Sequence, residues 1–479
     1  MTDKARYESP LSSRYASPAM LRLWTAEHRS RVWRQLWLTL AQEQQRLGIG
    51  IPQAAIEEMQ AHLDDVDLEE VRQYEHRIRH DVMAHIHHFG DQAPAARPFL
   101  HLGAASAYVT DNADLIVMRD GVRLLLARVA AVVQALRAFA ARYGGLPTVA
   151  YTHFQPAQLT TVGKRATLWL QDFLLDAQAL RGLADSLPFR GCKGTTGTQA
   201  SYLELFHGDH DRVRQLDQRV AEAFGFASTV AVSGQTYTRK VDSRVLDALS
   251  GVAQSAAKFA NDVRLLQHEQ EVMEPAEREQ VGSSSMPYKR NPMRTERVCA
   301  LARYVLSLQA NAHHTVATQW LERTLDDSAN RRLALPDAFL ATDAILVLCT
   351  NVSAGLEVQQ TIVRRNVERV MPFMATERWL MLGVEAGGDR QQLHEVIRRH
   401  SRGVAAAMAE GGANDLLERL AADPAFASVP AEQLRAELDP ARYVGRAPEQ
   451  VRDFLDGPVE EVLESLKPYA VSDQAAVTV

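Results

Sequence analysis

The sequence predicts an all-α fold, with two smaller flanking domains around a central bundle of long helices, and three observations carry that expectation. Residues 99–146, 189–274 and 293–335 contain no proline, so the strongest helix breaker is missing from the middle of the chain. Within the second stretch Val245, Leu249, Val252, Ala256, Phe259, Val263 and Leu266 recur at alternating spacings of four and three, a single apolar seam of helical period. Period-2 runs are nearly missing; Ala227–Val232 is the best of them, and it is short.

In chain order, the first ~105 residues read as shorter helices. Trp33, Leu36, Trp37 and Leu40 mark one apolar face, stopped near Gly48 and Gly50. Residues 112–143 follow with Leu115, Val122, Leu126, Val129, Val133 and Leu136, and residues 157–183 with Val162, Trp169, Phe173 and Leu180. Both faces are broad enough for burial on several sides, and 241–267 completes the central set. Helices of 25 to 30 residues are ~40 Å long, and their apolar faces exceed what one subunit covers, which predicts a homo-oligomer. After about residue 358 the helices shorten, broken by Pro372, Gly387–Gly388, Gly411–Gly412, Pro424 and Pro430. The division expected is therefore 1–105, 106–358 and 359–479, with Ser472–Val479 a frayed tail.

Bulk composition agrees with an ordinary globular chain. Of 479 residues 46% are hydrophobic and 23% charged, which excludes disordered, collagen-like and purely coiled-coil classes. Fifty-three Lys and Arg against 59 Asp and Glu give a formal charge of −6, so no basic surface is available for nonspecific nucleic-acid binding. An anionic ligand must be met by a local basic cluster. The polar start MTDKARYESP is unlike a signal peptide, and no uncharged apolar run approaches the ~20 residues that cross a bilayer. Cys192, Cys299 and Cys349 lie too far apart for a CxxC motif or a disulfide framework. A cytoplasmic protein is expected.

The most unusual segment is Val281–Arg297, where Gly282 and three serines form a loop rich in hydroxyls and N–H groups that leads through Pro292 into a helix. Lys289, Arg290, Arg294 and Arg297 crowd that junction, and Lys289 suits charge developing on a carboxylate; a solvated basic helix start is the alternative. Tyr151–Gln158 places His153 in a short polar connection before a long helix, a mount for a proton donor, or a purely structural histidine. Asp81 and His85 share a helix face, but the face lacks a full ligand set, so no metal is expected. Glu322–Arg332 offers Arg323, Arg331 and Arg332 beside a helix start at Ser328, a pattern that suits phosphate. Gly163-Lys164-Arg165 lacks the glycine five residues earlier and the Ser/Thr after Lys of a nucleotide-fold phosphate loop, and Gly191–Gly197 follows no strand.

These segments are together recognisable. GSSSMPYKRN (282–291) resembles the signature of the fumarase/aspartase superfamily, and its continuation PMRTER resembles the adenylosuccinate lyase family within it. SPLSSRYAS (9–17), RHDVMAHIH (79–87), LGAAS (102–106), THFQPAQLTTVGKR (152–165), KGTTGTQAS (193–201), SGQTYTRKVD (233–242), ERTLDDSANRR (322–332) and GRAPEQV (445–451) resemble segments of that family in the same order. The resemblance spans essentially the whole chain, and the tyrosine form of the loop is most similar to the animal-type branch.

What the resemblance implies is an all-α three-domain subunit and a homotetramer whose active sites are each assembled from three subunits. It also implies release of fumarate from adenylosuccinate and from the succinylated aminoimidazole carboxamide ribotide, two steps of purine synthesis, with no cofactor. It makes Ser283 the general base and His153 the general acid, while Lys289 and Asn291 hold a succinyl carboxylate and its enolate-like charge. Arg14, Tyr15, Arg323, Ser328 and Arg332 grip phosphate and ribose; His80, Asp81, Ser106, Thr152 and Gln235 line the pocket; Glu296 orients the loop-to-helix junction or its partner histidine. The chain departs from the family's pattern at Ala105, where a threonine usually precedes the serine, and at Ser285, which adds a hydroxyl beside Ser283 and Ser284. Competing readings are another member of the superfamily, such as an argininosuccinate lyase or a fumarase, whose substrates carry no phosphate for the arginine cluster, and an interaction protein reusing the fold without activity.

Overall fold

The computed structural model describes residues 7–470; Met1–Arg6 of the polar start and the Ser472–Val479 tail lie outside the described residues. Five long helices form its centre: Ala107–Arg142, Val162–Ser186, Lys240–His268, Met293–Ala317 and Asp327–Gly355. The first has 36 residues and so spans ~54 Å. The seam read from the sequence is the buried stripe of Lys240–His268, with Val245, Leu249, Val252, Ala256, Phe259 and Val263 fully enclosed. Its neighbours in the bundle are Met293–Ala317, Val162–Ser186 and Asp327–Gly355.

Two expectations need correction. Residues 157–161 are strand, not helix: Pro147–Thr152 and Gln155–Thr161 form an antiparallel hairpin, and the helix begins only at Val162, where the Thr161 hydroxyl accepts the Lys164 N–H at 3.1 Å. Ala227–Val232 forms no strand. Phe189 pairs with this segment for one step, through bonds to Ser228 and Val230, and beyond that step the segment has no extended partner. A two-residue pair, Val272–Met273 with Glu357–Val358, is the other sheet among the described residues.

Ala107–Arg142 and Asp327–Gly355 are long and apolar enough to cross a membrane by length and composition. Neither run is free of charge, and the charges meet inside the bundle: Arg128 of the first helix is ion-paired with the fully buried Asp343 of the second. Asp343 also accepts the Ser17 N–H at 2.7 Å, fixing the chain just after the short turn Leu11–Tyr15. These are core helices of a bundle, apolar on most sides because neighbours cover most sides.

One continuous apolar core joins the N-terminal helices, the central bundle and, from the far end of the chain, Val451, Leu455, Val459, Val462 and Leu466. A second core lies between 367 and 434 and takes in Val149 and Leu159 of the hairpin. The hairpin is thus seated on the helices that follow the bundle, against Gln360–Met374. Leu168, Leu175, Leu265, Leu306 and Leu333 remain exposed on the long helices.

Asp176, inside the bundle, has one carboxylate oxygen buried without a partner. Burial lifts its pKa to about 6, against a hydrogen bond from Ser255 and with a smaller push from Asp172. A carboxyl raised in the folded state contributes stability that is complete below its unfolded pKa and lost as pH rises through about 6. Asp176→Asn is therefore expected to stabilise the fold by about 2–3 kcal/mol at pH 7.5 and hardly at all at pH 4. Denaturant midpoints of both proteins at the two pH values measure this, and an equal difference at both would disprove it.

Candidate active site

A cavity of about 560 Å³ opens where the N-terminal helices meet the bundle, lined by His80, Asp81, Ser106, Gln235, Arg323, Ser328 and Arg332 among others. The sequence placed these residues on four separate segments. His80 caps the Asp81–Gln92 helix, its Nδ1 accepting the Met83 N–H at 3.3 Å, which turns Nε2 towards Ser106 Oγ at 3.5 Å. Asp81 holds Arg332 at 2.9 Å, and Gln235 is pinned by its own N–H to the Glu322 carbonyl, next to Arg323. Ser328 lies in the first turn of Asp327–Gly355, where the helix dipole favours an anion.

Beneath this wall runs a buried ionic network. Asp327, fully enclosed, accepts Arg239 Nε at 2.6 Å and Arg323 Nη1 at 3.0 Å. Arg239 reaches on to Asp111 at 3.3 Å, and Arg331 binds Asp242 at 2.6 Å, Tyr237 Oη at 2.6 Å and Asp114 at 2.9 Å. Burial works against the charge of Arg239 and Arg331, but the carboxylates around them, Asp111 and Asp242 foremost, hold both pKa values above the ordinary. Asp114 moves up, because burial outweighs the attraction of Arg331. The network fixes Arg323 from behind and leaves its outer face on the cavity. Arg29 and Arg79 line the same cavity. Of these residues Arg331 belongs to the arginine cluster read at 322–332; Arg79, Arg239, Asp242 and Asp327 sit unremarked inside the segments 79–87, 233–242 and 322–332, and Arg29, Asp111 and Asp114 carry no local signal.

The remaining candidates stand on two other parts of the subunit. Thr152 and His153 are at the exposed tip of the hairpin, and His153 and Phe154 make its two-residue turn with φ of 53° and 56°. Such turns normally take Asn-Gly, so two bulky residues in the left-handed region store strain that the paired strands must hold. The register Thr152 to Gln155 does so and presents the imidazole to solvent. Ser283, Lys289 and Asn291 lie on the loop before Met293–Ala317, and Glu296 is exposed in the first turn of that helix, where a carboxylate suits the dipole. Ser283 Oγ accepts the Met286 N–H at 3.1 Å, a dipole that favours an alkoxide; no such bond reaches Ser284 or Ser285. Arg290 and Arg294 fasten the base of the loop, Arg290 to Glu357 and Arg294 to Glu277 and Asn351. Arg297 lies over the ring of Tyr15 at 5.3 Å, which brings the Leu11–Tyr15 turn, with Arg14, beside this helix. Asp81 and His85, the pair weighed for a metal, point to different partners: Asp81 to Arg332, His85 edge-on to Trp33, where burial lowers its pKa to about 4.

A long-helix bundle with an arginine-lined cavity and a serine-bearing loop is the arrangement of a lyase of the fumarase/aspartase type. The family described as "Lyase" matches residues 14–306, and that described as "Adenylosuccinate lyase C-terminus" matches residues 372–454. A fumarate lyase of Mesorhizobium sp. BNC1 has the same fold, with a TM-score of 0.77 at 24% identity, over 94% of this chain and all of that one. Adenylosuccinate lyase of Saccharomyces cerevisiae is 47% identical over the full length of both chains, and that of Schistosoma mansoni 44% over 98% of each. The archaeal enzyme of Pyrococcus abyssi is 29% identical over 93% of this chain and 97% of its own. This chain belongs to the adenylosuccinate lyase family, and it is an enzyme.

Proposed function

We propose that the enzyme eliminates fumarate from adenylosuccinate, leaving AMP, and from the succinylated aminoimidazole carboxamide ribotide, leaving the carboxamide. The observation that carries this reading is the pairing of a phosphate-directed cavity wall with a loop serine that accepts a backbone N–H. Arg323, Ser328 and Arg332, with Arg14 and Tyr15, hold the phosphate and ribose, and Ser106, His80, Asp81, Thr152 and Gln235 surround the rest of the substrate. Ser283 Oγ takes the proton from the carbon β to the departing nitrogen; that C–H pair becomes the new C=C bond. Lys289 and Asn291 meet the charge that builds on the neighbouring carboxylate, and Glu296 orients the junction. The C–N pair leaves with nitrogen, which takes a proton from His153. Atoms and charge balance without a cofactor.

Hairpin tip, loop and cavity wall occupy separate parts of one subunit, and exposed leucines line the long helices between them. A homotetramer that builds each site from three chains accounts for both features. Three buried, free cysteines fit the reducing cytosol as its location.

Purified protein given adenylosuccinate is expected to release fumarate. Arg332→Ala is expected to weaken AMP binding about tenfold or more and to leave fumarate binding within about twofold, because the lost charge-assisted bonds serve only the nucleotide end. No fumarate from wild type would disprove the reading, and equal losses for both products in calorimetry would remove Arg332 from the phosphate site.

A further inference from the structure

The loop that carries Ser283 and Lys289 contributes no side chain to either apolar core between residues 276 and 292, and most of it is exposed. Its position must come from polar contacts, and these converge on one buried residue. Glu274 lies just before the loop and its carboxylate binds the chain just after it, accepting the Arg294 N–H at 3.0 Å and the Thr295 N–H and hydroxyl at 2.9 Å each. Its backbone joins in: the carbonyl accepts Arg290 Nη2 at 2.6 Å, and the N–H donates to Gln267 Oε1 at 3.0 Å. Gln267, itself buried, closes the ring by donating Nε2 to the Arg290 carbonyl at 3.0 Å.

Above this clasp the loop crosses itself. Asn291 donates to the Gly282 carbonyl at 2.7 Å, and a side chain on Gly282 would stand 2.2 Å from the Lys289 carbonyl oxygen, so only glycine allows the crossing. The two strands of the neck therefore move together with whatever holds Arg290 and the start of Met293–Ala317.

We propose that Glu274, with Gln267, is a positioning residue: the clasp sets the attitude of the Ser283–Lys289 loop relative to the bundle and does not touch substrate. The proposal rests on the reading of Ser283 as the base and of Lys289 as its electrostatic partner. A serine hydroxyl is a weak base whose rate depends on placement, and a displacement near 1 Å costs up to ~10²-fold. The main nucleotide grip, Arg323, Ser328 and Arg332, stands on the cavity wall, and none of the clasp's bonds reaches it.

The test compares Glu274→Gln, Gln267→Ala and Ser283→Ala with wild type. In Glu274→Gln one acceptor oxygen becomes a donor facing N–H groups; Gln267→Ala removes two bonds and keeps the helix cap, and so is the milder change. Both are expected to lower kcat ~10-fold or more, to keep AMP affinity within ~2-fold, and to speed tryptic cleavage after Arg278 and Lys289 severalfold. Wild-type kcat in either folded variant overturns the proposal. So does a fall in kcat with equal loss of AMP affinity and no change in loop cleavage, and so does failure of both variants to fold, since the clasp would then serve the fold. Activity retained in Ser283→Ala defeats the underlying reading along with it; an inactive Ser283→Ala beside fully active clasp variants defeats the proposal alone.

Discussion

Ser283→Ala and His153→Ala are each expected to lower turnover by at least ~10²-fold while leaving helical content and oligomer size unchanged. Neither side chain is part of the packing. His153 sits at an exposed turn, and Ser283, on a largely exposed loop, has one hydrogen bond, from the Met286 N–H. The loss in each variant is therefore that of a proton-transfer group, and circular dichroism and thermal midpoints should stay close to wild type. His153→Ala has one further consequence. The turn holds a bulky side chain in the left-handed region, and His153→Gly removes that strain, so the glycine variant should be as inactive as alanine but slightly more stable. Steady-state rates with adenylosuccinate decide the matter: full activity in Ser283→Ala would move the base to Ser284 or elsewhere, and full activity in His153→Ala would leave the leaving nitrogen without its proposed acid.

Ala107–Arg142, Val162–Ser186 and Lys240–His268 were legible because they lack proline and repeat their apolar residues at helical spacing, and burial follows the pattern residue for residue in Lys240–His268; Asp327–Gly355 was not, since Pro336 stands inside it. The hairpin was not. Its turn carries His153-Phe154 where the sequence signal for a tight turn is Asn-Gly, and Pro147 and Pro156 both argue against strand. What makes it a hairpin is tertiary: Val149 and Leu159 bury against helices more than 200 residues later. The return of Val451–Leu466 to the first core is hidden for the same reason, since periodicity tells which face is apolar and not what covers it. In the site, the residues of the ordered motifs were legible through the resemblance. Their supports were not: Asp111, Asp114 and Asp242 are carboxylates on helices, which read as solvated surface until arginines from distant segments are seen to enclose them.

Mixing two inactive proteins is expected to restore activity. Hairpin tip and serine loop stand on different parts of one subunit, with no hydrogen bond between His153 and Ser283 among the described residues, and the proposed chemistry needs an acid and a base on opposite sides of one substrate. If the tetramer brings the His153 of one chain to the Ser283 of another, hybrids of His153→Ala and Ser283→Ala subunits contain sites in which both groups are intact. With equal amounts and free exchange, each group is intact with a chance of one half, so recovery should reach about a quarter of wild-type activity. Starting from variants at or below ~1%, that is a gain of some twenty-fold or more, and it should grow with the time allowed for exchange. Arg332→Ala mixed with Ser283→Ala extends the test to the cavity wall: recovery there would place the phosphate grip and the base on different chains as well. Native mass spectrometry of differently tagged subunits monitors the exchange, and hybrids that form but stay inactive would mean that His153 and Ser283 serve one site from a single chain.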